Sequence, residues 1–207
     1  MSEALAAAPE VADDASTPVR ASTRWFRLAL LGVVALAIGI RLVHALGVVA
    51  GEPVLGDAFY YHHSAQLLAD GEGMVFPYEL QDRGVRNEAA DHPPLFVLYL
   101  ALWSLVGLDS VEAHLVAGAL LGGAAVALSG LLGRRVAGPA VGLVAAALVA
   151  VYPNLITWDS VLLSEPTATV TTLLVLLAAY DHLDRRTSTS AALLGGAVGL
   201  ATLARPE

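Results

Sequence analysis

Long stretches without a single charge constrain this chain more than any other feature. Apolar runs occupy residues 28–50, 94–106, 111–132, 140–158, 166–180 and 191–204. A helix that crosses a bilayer needs about 20 such residues, whereas a run of 10–14 suits a buried or interfacial helix. Only 14% of the residues are charged, against about 25% in soluble domains. The deficit excludes an ordinary soluble domain and points to lipid as the main solvent. The net charge of −8 argues against a nucleic-acid partner. The absence of cysteine excludes disulfides and thiolate metal sites.

Arginine placement orients the spans, because all 11 basic residues are Arg. Arg20, Arg24 and Arg27 precede the first run, Arg134 and Arg135 follow the third, and Arg185 and Arg186 follow the fifth. The positive-inside rule places all three clusters in the cytoplasm. That is consistent only if run 94–106 does not cross, so it is expected to lie at the outer interface. Its Tyr99 and Trp103 share a helix face there. The expected fold is all-α, a polytopic bundle of about five transmembrane spans. They are placed near 25–49, 111–133, 138–157, 166–182 and from 190 on. Residues 1–24 read as a disordered cytoplasmic tail, rich in Ala, Ser, Pro and acid. A signal peptide is the rival reading, with Val43-His44-Ala45 as a cleavage-like site. The length and acidity of the tail and the length of the run oppose it. Residues 50–110 form a large outer loop, and 158–165 a short outer turn.

Acidic residues concentrate in these two outer segments. Asp57 follows the first span, with Tyr60 and Tyr61 beside it. Aromatic rings with polar tips suit a sugar or a lipid head group, and Asp57 could serve as a general base or a metal ligand. A solvated loop acid is the plainer reading of the same residue. Asp91-His92-Pro93-Pro94 forms a rigid helix start, with Pro94 in the first turn. His92 could carry a proton, meet a phosphate or bind a metal. Ser164-Glu165-Pro166 caps the fourth span and places Glu165 on the membrane face that holds Asp57. The two acids could share a divalent ion, and Asp159 is a rival for the second position. Arg41 and His44 sit near the outer end of the first span, where ionisable residues are either functional or snorkelling. His62-His63 is a further ligand pair, although adjacent helical residues point apart. Gly118 and Gly122 have the spacing that lets helices approach closely.

Taken in order, these motifs resemble one family. Asp57 with its aromatics comes first, then Ala65-Gln66-Leu67-Leu68-Ala69-Asp70-Gly71-Glu72-Gly73 and His92-Pro93-Pro94-Leu95. Gly133-Arg134-Arg135, Leu163-Ser164-Glu165-Pro166 and Gly199-Leu200-Ala201-Thr202-Leu203-Ala204-Arg205-Pro206-Glu207 follow. The order is similar to that of the polytopic glycosyltransferases of the GT-C fold, in the bacterial branch related to protein O-mannosyltransferases and lipid A aminoarabinose transferases. The match runs from about residue 25 to 207. The resemblance implies transfer of a hexosyl or pentosyl group, with inversion, from a polyprenyl-phosphate donor. The acceptor would be a hydroxyl of a lipid, glycan or protein outside the cytoplasm, at the plasma membrane. It implies Asp57 as base and Glu165 as second acid, with His92 at the donor phosphate where some relatives carry Lys. Positive charge at the leaving phosphate would come from Arg41, Arg83, Arg86, His92, Arg205 or a divalent metal held by Asp57 and Glu165. Relatives are longer, so the resemblance also implies an N-terminal portion of such an enzyme. The alternatives are a transporter subunit, which would place polar residues at mid-span, and a non-catalytic assembly protein.

Overall fold

The computed structural model of the protein describes residues 17–89 and 91–205, all helices and connections. Residues 1–16 of the expected tail lie outside the described residues. From Thr17 the chain is helical, so the first helix, α1 (Thr17–His44), begins upstream of the expected start near residue 25. Pro18 stands in its first turn, where a missing N–H leaves no bond unmade. The helix ends in a π turn, Ala45–Val49.

Among the described residues two helical stretches are long and apolar enough to cross a membrane, Arg24–Val49 and Val111–Ala137. The second is α5, capped by the Ser110 hydroxyl, which accepts from Ala113 N–H at 3.2 Å. A third span exists only if α6 (Pro139–Val151) and α7 (Pro153–Asp159) are counted together, for they bend by 63° at Tyr152. The expected straight span over 138–157 is therefore broken, and Pro153 is the reason. It lacks an N–H and restricts Tyr152 before it, so the helix cannot continue through them. Helix α8 (Glu165–Arg185) has 21 residues but carries Asp181, Asp184 and Arg185 in its last turns. Helix α9 (Ser188–Ala204) has 17, begun by a capping box of Thr187 and Ser190. Neither of the last two is both long and apolar enough to pass as a span by itself.

Glycine sets how close α5 and α6 come. A Cβ on Gly142 would lie 2.8 Å from the Arg134 backbone nitrogen, a collision that no rotamer change relieves. The outward sides of the two apolar elements carry Leu28, Leu31, Leu36 and Val43 on α1, and Val144 and Leu148 on α6. An exposed surface of this kind suits lipid.

The segment 50–110 folds into a helical layer rather than a loop with one helix. Helices α2 (Asp57–Ala69), α3 (Pro77–Arg83) and α4 (Pro94–Ser104) lie in sequence. Paired backbone bonds, Phe76 N–H to Asn87 O and Ala89 N–H to Met74 O, both 2.9 Å, turn the chain back after α3. Helix α4 is too short to span, and it buries Phe96, Val97, Leu100 and Ala101 in a core shared with Tyr60, Tyr61 and Leu115. The Tyr99 hydroxyl donates to the Ala117 carbonyl of α5 at 3.0 Å, so Tyr99 anchors α4 to α5.

Arginines gather at one end of the bundle. The Arg134 guanidinium lies 4.6 Å from the Phe26 ring centre, and that of Arg135 lies 5.5 Å from the Tyr180 ring centre. Arg135 also pairs with Asp184, and Arg185 with Asp181 at 2.6 Å. Glu165, at the other end of α8, is about 30 Å away along the helix.

Candidate functional site

Asp57 owes its position to Gly56. That residue adopts φ 58° and ψ −140°, a backbone state that a side chain strongly disfavours. The Gly56 carbonyl accepts from the Tyr60 N–H at 3.2 Å and from the Tyr78 hydroxyl. The turn is thereby fixed, and Asp57 stands in the first turn of α2, where a carboxylate faces the positive helix end. Its side chain is 64% exposed.

His92 is wedged beside it. Its Nε2 lies 3.4 Å from Asp57 Oδ1 and its Nδ1 lies 3.0 Å from Asp91 Oδ2. The ring stacks on Tyr60 with centres 4.0 Å apart and meets Tyr61 edge-on at 5.5 Å. Each ring nitrogen thus faces a carboxylate, and both ring position and tilt are set. Pro94 occupies the first turn of α4, as expected, so His92 enters from a stiff Pro-Pro segment.

Tyr61 joins the two outer segments. Burial raises its pKa, Ser164 opposes that as a hydrogen-bonding neighbour, and the charges of Asp57 and then Glu165 raise it further. Both acids therefore act on one phenol. Arg205 acts on it in the opposite sense, and its guanidinium lies 3.8 Å from Glu165 Oε1. Of the two residues expected to cap α8, Ser164 or Glu165, Ser164 holds the cap position but makes no side-chain capping bond, and Pro166 stands in the first turn as expected. Tyr60 is fully enclosed, and among the described residues its hydroxyl has no hydrogen-bond partner. Burial, followed by the charge of Asp91, pushes it up to about 12, so it remains a neutral donor.

The structure thus brings Asp57, Tyr60, Tyr61, His92 and Glu165 into one neighbourhood, with Arg205 as its cation. Arg41 is not among them. It is fully buried, with Nε donating to Asp159 Oδ2 at 2.7 Å. Its terminal nitrogens donate to the carbonyls of Ala37 at 3.3 Å, Ala150 at 3.1 Å and Val149 at 3.2 Å. Val149 is the residue whose helical partner would have been the N–H that Pro153 lacks. Arg41 therefore satisfies carbonyls released by the break, which leaves it neither snorkelling nor open to a ligand. Asp159, the rival second acid, is the buried counter-ion in this arrangement. Gly122 makes the room, since a Cβ there would run into Arg41 Nε and Asp159 Oδ2. Gly118 likewise admits the Asp159 carbonyl, 2.8 Å from its notional Cβ. The Gly118–Gly122 spacing serves this clasp. Arg86 pairs with Glu72 and does not reach the neighbourhood of Asp57 through any contact.

Among the described residues no three or more His, Asp or Glu side chains group as a metal site. His62 and His63 do not point apart as expected, since their rings meet edge-on with centres 4.9 Å apart, and each has a further partner. His63 Nδ1 meets Gln66 Oε1 at 3.0 Å. His62 Nδ1 meets His114 Nδ1 at 2.9 Å, and His114 Nε2 meets Ser104 Oγ at 3.0 Å. This buried chain ties α2 to α5 and α4, and the pairing of residues 52 apart left no local trace in the sequence. The one available signal was His114 itself, an ionisable residue just inside an apolar run.

Burial, then the charges of His114 and His63, hold the His62 pKa down at about 4 against 6.5 unfolded, with Asp109 and Glu112 opposing. A buried neutral imidazole stabilises the fold fully above about 6.5, and that contribution is lost as pH falls toward about 4. The thermal unfolding midpoint in detergent is expected to drop across this window and to drop less steeply in His62→Gln. A midpoint flat from pH 7 to 4 in the wild type would contradict this.

No protein-family model matches the chain, and neither does any curated protein or solved structure.

Proposed function

We propose that the protein is a membrane-embedded glycosyltransferase of the GT-C type, moving a sugar from a polyprenyl-phosphate donor to an acceptor hydroxyl on the extracytoplasmic face. The observation that carries this reading is that Asp57 faces His92, which packs edge-on against Tyr61, and that Glu165 pairs with Arg205, these residues coming from segments far apart in sequence. In the proposed topology α1, α5, α6 with α7, α8 and α9 make five passes, with the N-terminus in the cytoplasm. The gathering of Arg134, Arg135 and Arg185 at the end away from Glu165 supports it through the positive-inside rule.

In the proposed reaction Asp57 removes the proton of the acceptor hydroxyl as its oxygen attacks the anomeric carbon. The bond from that carbon to the phosphate oxygen breaks, and the polyprenyl phosphate leaves with the electron pair. Phosphate is already a good leaving group, so the protein has mainly to supply a base and positive charge. Arg205 fits the second role better than His92, which is flanked by two carboxylates. Glu165 holds Arg205 and orients the acceptor, while Tyr60 and Tyr61, both buried, form the floor on which His92 is seated.

The test is transfer in membranes containing the chain, with a radiolabelled polyprenyl-phosphate hexose in one reaction and a labelled nucleotide hexose in another. Label is expected in product from the lipid-linked donor alone. Transfer from the nucleotide sugar alone, or from neither donor by correctly inserted protein, would overturn the reading.

A further inference from the structure

Helix α2 presents two working faces. Asp57, Tyr60 and Tyr61 belong to the site above. Phe59, His63, Gln66, Leu67 and Asp70 follow one another at helical spacing along a different stripe. Helix α3 lies across this second stripe, and between the two helices is a cleft of about 310 Å³. That volume is at the lower end of the roughly 300–1,000 Å³ typical of small-molecule sites.

The cleft is chemically two-sided. Phe59, Leu67 and Leu80 supply an apolar wall, and His63, Asp70 and Gln81 supply a polar rim. Phe59 is held in place by Tyr78, stacked with ring centres 4.7 Å apart, and by His63 at 4.2 Å. The rim's hydrogen-bonding sense follows from Gln66. Its Nε2 donates to the Asp109 carbonyl at 2.9 Å, which can only accept. Its Oε1 therefore faces His63 and accepts from the Nδ1–H at 3.0 Å. In neutral His63 that leaves Nε2 as an acceptor. The Asp70 carboxylate is an acceptor as well, and no Arg lines the cleft. Among the described residues neither Asp70 nor Gln81 spends its side chain on a protein partner.

An apolar wall beneath a rim of acceptors matches a ligand with a C–H face and a ring of O–H donors. Asp70 without a neighbouring cation opposes an anion. We infer that the α2–α3 cleft is a saccharide-binding subsite that takes one neutral hexose unit of a glycan. It is separate from the Asp57 neighbourhood, from which it is divided by the thickness of α2, roughly 10 Å. The inference stands on the cleft alone, whether or not the protein transfers sugar.

Purified protein in nanodiscs, titrated with the methyl glycosides of glucose, galactose and mannose and with glucuronate, tests this by saturation-transfer NMR. At least one neutral glycoside is expected to bind, with glucuronate weaker by about tenfold or more. Asp70→Ala and Gln81→Ala, both at exposed positions, are each expected to weaken binding about tenfold. Asp57→Asn is expected to leave it unchanged. The inference is overturned if no neutral glycoside binds folded protein, if both rim variants bind as the wild type does, or if only Asp57→Asn abolishes binding. Glycoside binding without any transfer activity would count against the proposed reaction and leave the subsite standing.

Discussion

Arg41→Met is expected to destabilise the protein by about 3–5 kcal/mol, the usual cost of removing one partner of a buried ion pair. The guanidinium is fully buried and Asp159 nearly so. Without Arg41, a carboxylate and the Val149 and Ala150 carbonyls remain enclosed with no donor. Asp159→Leu should cost somewhat less, because the guanidinium keeps its three backbone carbonyls. The double variant Arg41→Met/Asp159→Leu should regain part of the loss, since no charge is then left unpaired. Unfolding midpoints and protease resistance in detergent measure all three. Equal stability of Arg41→Met and wild type would show that the clasp contributes nothing.

Asp57→Asn should lower sugar transfer by about 10²–10⁴-fold, the range for losing a positioned general base. The substitution keeps size and polarity, and the side chain is mostly exposed, so insertion and unfolding midpoint should not change. That separation of activity from stability is the discriminating readout. Full transfer by a well-folded Asp57→Asn would remove Asp57 from the reaction. Glu165→Gln should have a smaller effect, chiefly on acceptor KM, because Glu165 is proposed to orient rather than to take the proton.

The apolar runs were legible because a lipid-facing helix leaves a continuous, local signal. The start of α4 at Pro94 and of α8 near Pro166 were legible too, since proline acts on its own backbone. The break at Pro153 lay in plain view, yet the run around it was apolar enough to read as one span. Segment 50–110 read as a loop because α2 has no clean amphipathic stripe; its buried residues include His62 and Ser64, and its other side includes Phe59 and Leu67. Charge and expected topology alone grouped Asp57, His92 and Glu165, and the structure brings them into one neighbourhood. What that reasoning could not supply was Arg41, whose position near a span end suited either a ligand role or snorkelling. Only the spatial return of Asp159 decides between these, and nothing near Arg41 in the chain announces it.

The clasp also bears on how the chain is made. Arg41 and Asp159 are separated by 118 positions. The ribosome therefore delivers the first hydrophobic segment long before its counter-ion exists. In the proposed topology a nascent α1 holds, until then, a basic group without its counter-ion, which lipid resists. Passage of that segment out of the insertion machinery should thus be delayed, or shielded by a helper, until the third segment arrives. In the proposed topology, synthesis and final seating of α1 would be separate events, divided by the arrival of residue 159.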